Sequence, residues 1–233
     1  MRVRLDLAYV GTRYAGWQRQ SRAPSVQQTL ELALSRLYNR RITIAGAGRT
    51  DAGVHAAGQV AHFDVESARP AVKDLPWILS RMLPPDIAVL RARKVSPVFH
   101  ARRRATWRTY QYRILTSKIP DPFRGPYVWH VPWADKLDLV RMRRAARGWL
   151  GTKDFAAFAI CVPKGRRTRR HMRKIVLRRA GDELRLTFVA DSFLHRMIRR
   201  MVALLVAVGG GKAPRRPDFT APPGGLCLTR VQY

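Results

Sequence analysis

From Arg2 to Val10 the chain alternates polar and apolar positions, with Val3, Leu5, Leu7 and Tyr9 on one side and Arg2, Arg4 and Asp6 on the other. That period of two predicts a half-buried strand. Ser25 with Gln28 forms a capping-box pattern. Val26, Leu30, Ala33, Leu34 and Leu37 then recur at helical spacing, which predicts an amphipathic helix from Ser25 to about Tyr38. Short apolar runs predict strands at Ile42 to Ala45, Gln59 to Val65 and Ile87 to Val95. Residues 71–82 read as a helix that stops at Pro84 and Pro85. The first half therefore reads β-α-β-β-α-β.

The second half repeats that order without a visible sequence repeat. Arg104 to Leu115 reads as a long strand, and Asp135 to Trp149 as a helix with Leu137, Val140, Ala145 and Trp149 on its apolar side. Arg173 to Arg179 and Glu183 to Ala190 form a hairpin about Gly181-Asp182. A helix follows from Leu194 to Val208, then a last strand from Leu226 to Gln232. The expected fold class is α+β: two tandem ferredoxin-like (βαββαβ) halves, residues 1–100 and 101–233, with mainly antiparallel sheets. Helices on one face would leave the other for a basic cleft between the halves.

Composition sharpens the picture. Of 233 residues, 45 are Lys or Arg and 15 are Asp or Glu, a formal charge of +30. Such an excess repels itself in a compact chain unless an anion binds. Nucleic acid is the obvious polyanion, and arginine, which forks onto phosphate and stacks on bases, dominates the cations. An anionic membrane is the rival, but no anchor accompanies the charge. The helix near residues 194–208 is interrupted by arginines and too short to span a bilayer. Cys161 and Cys227 make neither a disulfide framework nor a zinc pattern, and no histidine pair has metal-ligand spacing. Gly209-Gly210-Gly211-Lys212 lacks the P-loop spacing. The chain starts at once with strand-like alternation rather than a signal peptide, so it reads as soluble and cytoplasmic.

One stretch stands out, Gly46 to Gly58, with four glycines in thirteen residues. Its polar side chains are Arg49, Thr50, Asp51 and His55. An arginine two residues from an aspartate favours the ionised carboxylate, below its ordinary value of roughly 3.9. A positioned carboxylate can serve as nucleophile or base. A plain turn, with Asp51 bonding its own backbone ahead of a glycine, explains the spacing equally well. Between Gly11 and Pro24, Tyr14, Trp17 and Gln18 lie among Arg13, Arg19 and Arg22, a mixture suited to base stacking and phosphate contact. Trp17 covering the edge of the core is the competing explanation. The densest charge runs are Arg102-Arg103-Arg104 and Gly165 to Arg170.

These residues resemble the TruA-type tRNA pseudouridine synthases along the whole chain. The matching stretches include Gly16-Trp17-Gln18-Arg19-Gln20, Gly48-Arg49-Thr50-Asp51-Ala52-Gly53-Val54-His55, Gly58-Gln59-Val60-Ala61-His62-Phe63 and Leu83-Pro84-Pro85-Asp86-Ile87. Phe99-His100-Ala101-Arg102, the Tyr110-x-Tyr112 strand, Asp154-Phe155, Phe193-Leu194-His195 and Met197-Ile198-Arg199 continue it. The chain departs from the family pattern at Ser80 and Arg200, where the family usually carries asparagine, and in a short Gly- and Pro-rich stretch at 209–225.

The resemblance implies an isomerase, without cofactor or metal, that turns uridine into pseudouridine on the 3′ side of the tRNA anticodon stem-loop. It implies Asp51 as nucleophile and Arg49 as the residue that enters the helix and holds the flipped uridine out. Tyr110 would stack on the base and serve the proton step, and Arg199 would pair with Asp51. Trp17, Gln18 and His55 complete the expected substrate-binding set. The expected partners are tRNA and a second copy of the chain. Attack at uracil C6 and attack at ribose C1′ both remain open. A non-catalytic basic RNA-binding protein, or a paralogue acting on another RNA, is the alternative.

Overall fold

A computed structural model describes residues 1–66, 69–162, 165, 167–212, 216, 217 and 219–233. In chain order the elements are β1 (Arg2–Tyr9), α1 (Val26–Leu37), β2 (Ala45–Gly46), β3 (His55–Asp64), α2 (Leu75–Ser80) and β4 (Ile87–Val95). Then come β5 (Trp107–Leu115), β6 (Trp129–His130), α3 (Leu139–Arg147), β7 (Gly151–Asp154), β8 (Arg169–Ala180), β9 (Glu183–Ala190), α4 (Met197–Gly209) and β10 (Leu226–Gln232). The fold is α+β with mostly antiparallel strand pairs. Two compact units divide it: Met1–Thr106 with Leu228–Tyr233, and Trp107–Cys227.

In the first unit the strand order is β4-β1-β3-β10. β1 is antiparallel to both neighbours, with Val3 opposite Phe63 and Leu5 opposite Ala61 on β3. The alternation read from sequence holds: Val3, Leu5, Leu7 and Tyr9 are buried and the intervening positions half-buried. Ser25 caps α1, its hydroxyl accepting the Gln28 N–H at 3.3 Å. Val26, Leu30, Ala33 and Leu34 point into the core.

Several boundaries move. The strand expected at 42–45 is the two-residue β2, which pairs Ala45 with His62. β3 starts at His55 rather than Gln59, because Ala56, Ala57 and Gly58 give no alternation to read. The helix expected over 71–82 is α2 alone, preceded by a 3₁₀ turn at Val72–Asp74.

In the second unit the order is β5-β9-β8-β7, all antiparallel, with β6 parallel to the end of β5. β8 and β9 form the expected hairpin, and Gly181 supplies a positive φ of 59° at the turn. The helix expected from Asp135 begins at Leu139, because Asp138 caps it by accepting the N–H groups of Val140 (2.9 Å) and Arg141 (3.0 Å). Val140, expected on the apolar side, is 65 % exposed; Met142 and Ala146 are the buried positions. α4 is buried nearly all round, from Met197 through Val206. Among the described residues, no helix is long and apolar enough to cross a membrane.

Candidate active site

The glycine-dense loop is held from beneath by a buried set of hydrogen bonds. Gln59 is 0 % exposed although it shares β3 with apolar neighbours. Its Nε2 donates to the Gly48 carbonyl at 3.0 Å and to the Tyr9 hydroxyl at 3.4 Å. The Tyr9 and Thr50 hydroxyls lie 2.9 Å apart. The backbone is therefore fixed at residue 48 and the side chain at residue 50, on either side of Arg49 and just before Asp51.

Further bonds close the loop. The Thr50 carbonyl accepts the Trp17 N–H at 3.1 Å, the Asp51 carbonyl accepts the Val54 N–H at 3.1 Å, and the Tyr14 carbonyl accepts the Gly53 N–H at 3.2 Å. Gly16 makes this approach possible. Its φ is +98°, and a Cβ there would sit 2.5 Å from the Thr50 carbonyl oxygen, a conformation and a clearance that favour glycine. At Gly46 a Cβ would lie 2.5 Å from the Trp17 indole. Around Gly48, by contrast, nothing lies within 4 Å of that position. The glycines read from sequence as room for a ligand thus divide: Gly46 makes room for Trp17, whereas Gly48 faces open space.

The expected site residues of the first unit separate in the same way. Arg49 is exposed, and Asp51 and Gln18 are half-buried. Trp17 is 2 % exposed, its ring 6.0 Å from that of Tyr9. His55 is 5 % exposed, and its Nδ1 accepts the Gly11 N–H at 3.0 Å. Trp17 and His55 are bracing groups behind the loop, whereas Arg49 and Asp51 are presented by it. The core-edge explanation for Trp17 is the one that fits its burial.

A second brace is Glu31 on α1, a carboxylate nearly excluded from water. Its Oε2 accepts from Arg19 Nε (2.9 Å) and Nη2 (2.5 Å). Its Oε1 accepts from Gln27 Nε2 (3.0 Å) and the Ile44 N–H (3.0 Å). One carboxylate thus ties the 16–20 loop, the helix and the approach to β2. Tyr14 is fastened to Asp86 at 2.6 Å, and burial together with that carboxylate raises its pKa well above the ordinary value.

In the second unit Tyr110 sits on β5 opposite Phe188, 7 % exposed, with its ring edge-on to Phe193 at 5.2 Å. Arg199 lies on α4, 9 % exposed, and its Nε donates to the Ala221 carbonyl at 2.7 Å. The Ala221 N–H returns to the Arg199 carbonyl at 3.2 Å, and the Tyr112 hydroxyl donates to Pro222 at 2.8 Å. Burial raises the Tyr112 pKa strongly, against the opposing charge of Arg199. Residues 221–222 are thereby stitched to both α4 and β5. Arg200 bonds the Pro217 carbonyl at 3.3 Å, and Ser80 closes the end of α2 on the Trp77 carbonyl at 2.6 Å. The charge run at 165–170 lies partly outside the described residues.

The sequence reading did not assign loop-holding roles to Tyr9, Gln59 and Glu31. The signal for Gln59 was a lone amide among apolar strand positions, and for Glu31 a carboxylate on the apolar side of an amphipathic helix.

Residues 7–102 and 145–218 match the family described as "tRNA pseudouridine synthase". The tRNA pseudouridine synthase A of Methylobacterium nodulans is 40% identical over 247 residues, covering 100% of this chain and 96% of the relative. That of Moorella thermoacetica is 39% identical, with 99% of each chain covered. That of Solidesulfovibrio magneticus is 42% identical over 100% of this chain and 91% of the relative. Among solved structures, a chain of a Cbf5-Nop10-Gar1 complex has a TM-score of 0.39 at 8% identity, over 98% of this chain and 47% of that one, too slight a likeness to bear on the fold. With relatives this similar along its full length, the chain belongs to the tRNA pseudouridine synthase family.

Proposed function

We propose that this chain isomerises uridine to pseudouridine in tRNA, on the 3′ side of the anticodon stem-loop. The observation that carries the reading is a half-buried aspartate, Asp51, held beside an exposed arginine on a loop fixed from below, in a chain of this family. The reaction breaks the C1′–N1 bond and joins C1′ to C5; the C5 proton leaves to solvent and N1 takes one up, so the atoms balance. A base inside a stem must first be extruded, at a cost of a few kcal/mol. Arg49, exposed at the loop tip, is assigned to hold the vacated position. Asp51 is assigned as the nucleophile, acting at C6 or at C1′. Tyr110 is assigned to stack on the uracil and serve the proton step, and Arg199 to pair with Asp51. Trp17 and His55 act by positioning the loop, and Gln18 by contact with the RNA.

The finer architecture belongs to the same proposal: tandem ferredoxin-like halves, a basic RNA-binding cleft and a cytoplasmic homodimer.

The test is tritium release from tRNA labelled at uridine C5. Wild type releases tritium; Asp51→Asn releases none yet binds tRNA with nearly unchanged affinity. A large loss of affinity in Asp51→Asn, with its activity loss explained by that alone, would make Asp51 a structural residue and sink the assignment.

A further inference from the structure

The second unit presents a sheet face, alternating with the one that carries Tyr110, on which the proposed mechanism places no residue. β8 carries six cations in twelve residues. Strand alternation sends Met172 and Leu177 inward and leaves Lys174 and Arg178 exposed. The register builds cross-strand rows on that outer side: Thr109, Val189 and Lys174, then Gln111, Thr187 and Val176, then Arg113, Arg185 and Arg178. Glu183 neutralises two members of the last row, with Arg113 at 2.5 Å and Arg185 at 3.0 Å. Among the described residues no carboxylate lies within 4.0 Å of Arg173, Lys174 or Arg178. Like charges directly across a sheet are destabilising unless something neutralises them.

At the other end of this surface stands Trp107, half-buried on β5. The register of β8 shifts between Met172 and Lys174. Arg173 falls in that bulge, a device that re-aims a side chain, and its guanidinium lies over the Trp107 indole, 5.1 Å from the centroid. His171 packs its ring 5.7 Å from the same indole, held by Thr152 at 2.8 Å. The nearby Asp191 carboxylate is turned to the His171 N–H at 3.2 Å and to the Ser192 hydroxyl at 3.1 Å.

We infer that this surface binds an unpaired segment of the substrate RNA: one base stacks on Trp107, and Arg173, Lys174 and Arg178 take its flanking phosphates. The inference rests on the tRNA reading above and adds a second contact outside the target nucleotide. An aromatic platform beside unneutralised cations is the arrangement that single-stranded nucleic acid recognises. A second copy of the chain is disfavoured by charge, because a self-complementary contact would set these cations against themselves.

The experiment titrates an unmodified tRNA transcript against wild type, Trp107→Ala, Trp107→Phe and the double variant Lys174→Ala/Arg178→Ala at several salt concentrations. Single-turnover rates are measured at saturating tRNA. Trp107→Ala should weaken binding about tenfold, with the salt slope and the saturated rate unchanged. Trp107→Phe should recover most of that loss. The double variant should lower the salt slope by about two. Binding by Trp107→Ala within twofold of wild type, or a double variant with the wild-type slope, would overturn the inference while leaving the proposed activity intact. Loss of self-association in place of RNA affinity would put a second copy on this surface and overturn it too. Wild type that neither binds nor modifies tRNA would instead remove the functional reading itself.

Discussion

Gln59 carries more of the proposed site than its chemistry suggests. It touches no reacting atom in the proposal, yet its amide fixes Gly48 and reaches Tyr9, whose hydroxyl meets Thr50. Leucine in its place removes both bonds and leaves the Gly48 carbonyl without that donor, a loss of about 1–3 kcal/mol for a buried polar group. Gln59→Leu should lower the single-turnover rate at saturating tRNA by about tenfold or more, because misplacing a catalytic group is costly. tRNA affinity should stay near wild type, since phosphate contacts dominate binding. Equal losses in rate and affinity would show a general unfolding rather than a misplaced loop.

His62 offers a second test at this scale. Its ring is 4.7 Å from that of His100, and its Nδ1 accepts the Ala101 N–H at 3.2 Å. Burial first, then the charges of His100 and Arg2, lowers its pKa below the ordinary 6.5, against a smaller opposing pull from Asp64. The folded state therefore prefers neutral His62. Its contribution is complete above the unfolded value and is lost as pH falls through the lowered folded value. His100 is lowered in the same direction, by burial and then by Arg103, and adds to the slope. Denaturant unfolding should show stability falling from about pH 7 to about pH 5, and His62→Gln should flatten part of that fall.

Among the elements, α1 does more than cover the sheet. Its hydrophobic face was legible from spacing, but Glu31 lies on that buried side and joins three segments that are distant in sequence. Glu31→Ala should cost about 1–3 kcal/mol, because the Ile44 N–H and the Arg19 guanidinium lose their acceptor. Thermal or denaturant unfolding checks this, and a change below 0.5 kcal/mol would show water replacing the carboxylate. α3 behaves differently. Its first turn is capped by Asp138, and its outward Val140 and arginines leave only Met142 and Ala146 to bury. Two short elements escaped the sequence for one reason: β2 and β6 are two residues each and have no period to detect.

Over the whole molecule, charge is the dominant fact. Forty-five cations against fifteen anions cannot all be paired internally. Carboxylates such as Glu31 and Glu183 are spent on internal braces, and among the described residues none lies within 4.0 Å of Arg173, Lys174 or Arg178, the cations assigned above to RNA phosphates. tRNA affinity should fall steeply with salt, with a log–log slope of about −0.9 for each duplex phosphate contacted. A flat response would mean that the excess charge is not the binding surface.

The sequence by itself determined the α+β class, the buried strand β1, the span of α1, the β8–β9 hairpin, the excess of positive charge and the family. Each is written locally, as a period, a turn or a motif, or as a sum over the chain. Asp51 and Arg49 stood out for the same reason, as polar side chains in a glycine loop. Only tertiary structure decided that Trp17 and His55 brace the loop from the interior, that Gln59 clamps Gly48, eleven positions away in sequence, and that Arg173 sits over Trp107. Those facts depend on strand register, on a bulge and on which backbones approach each other. Such long-range geometry has no local period, so no window of sequence records it.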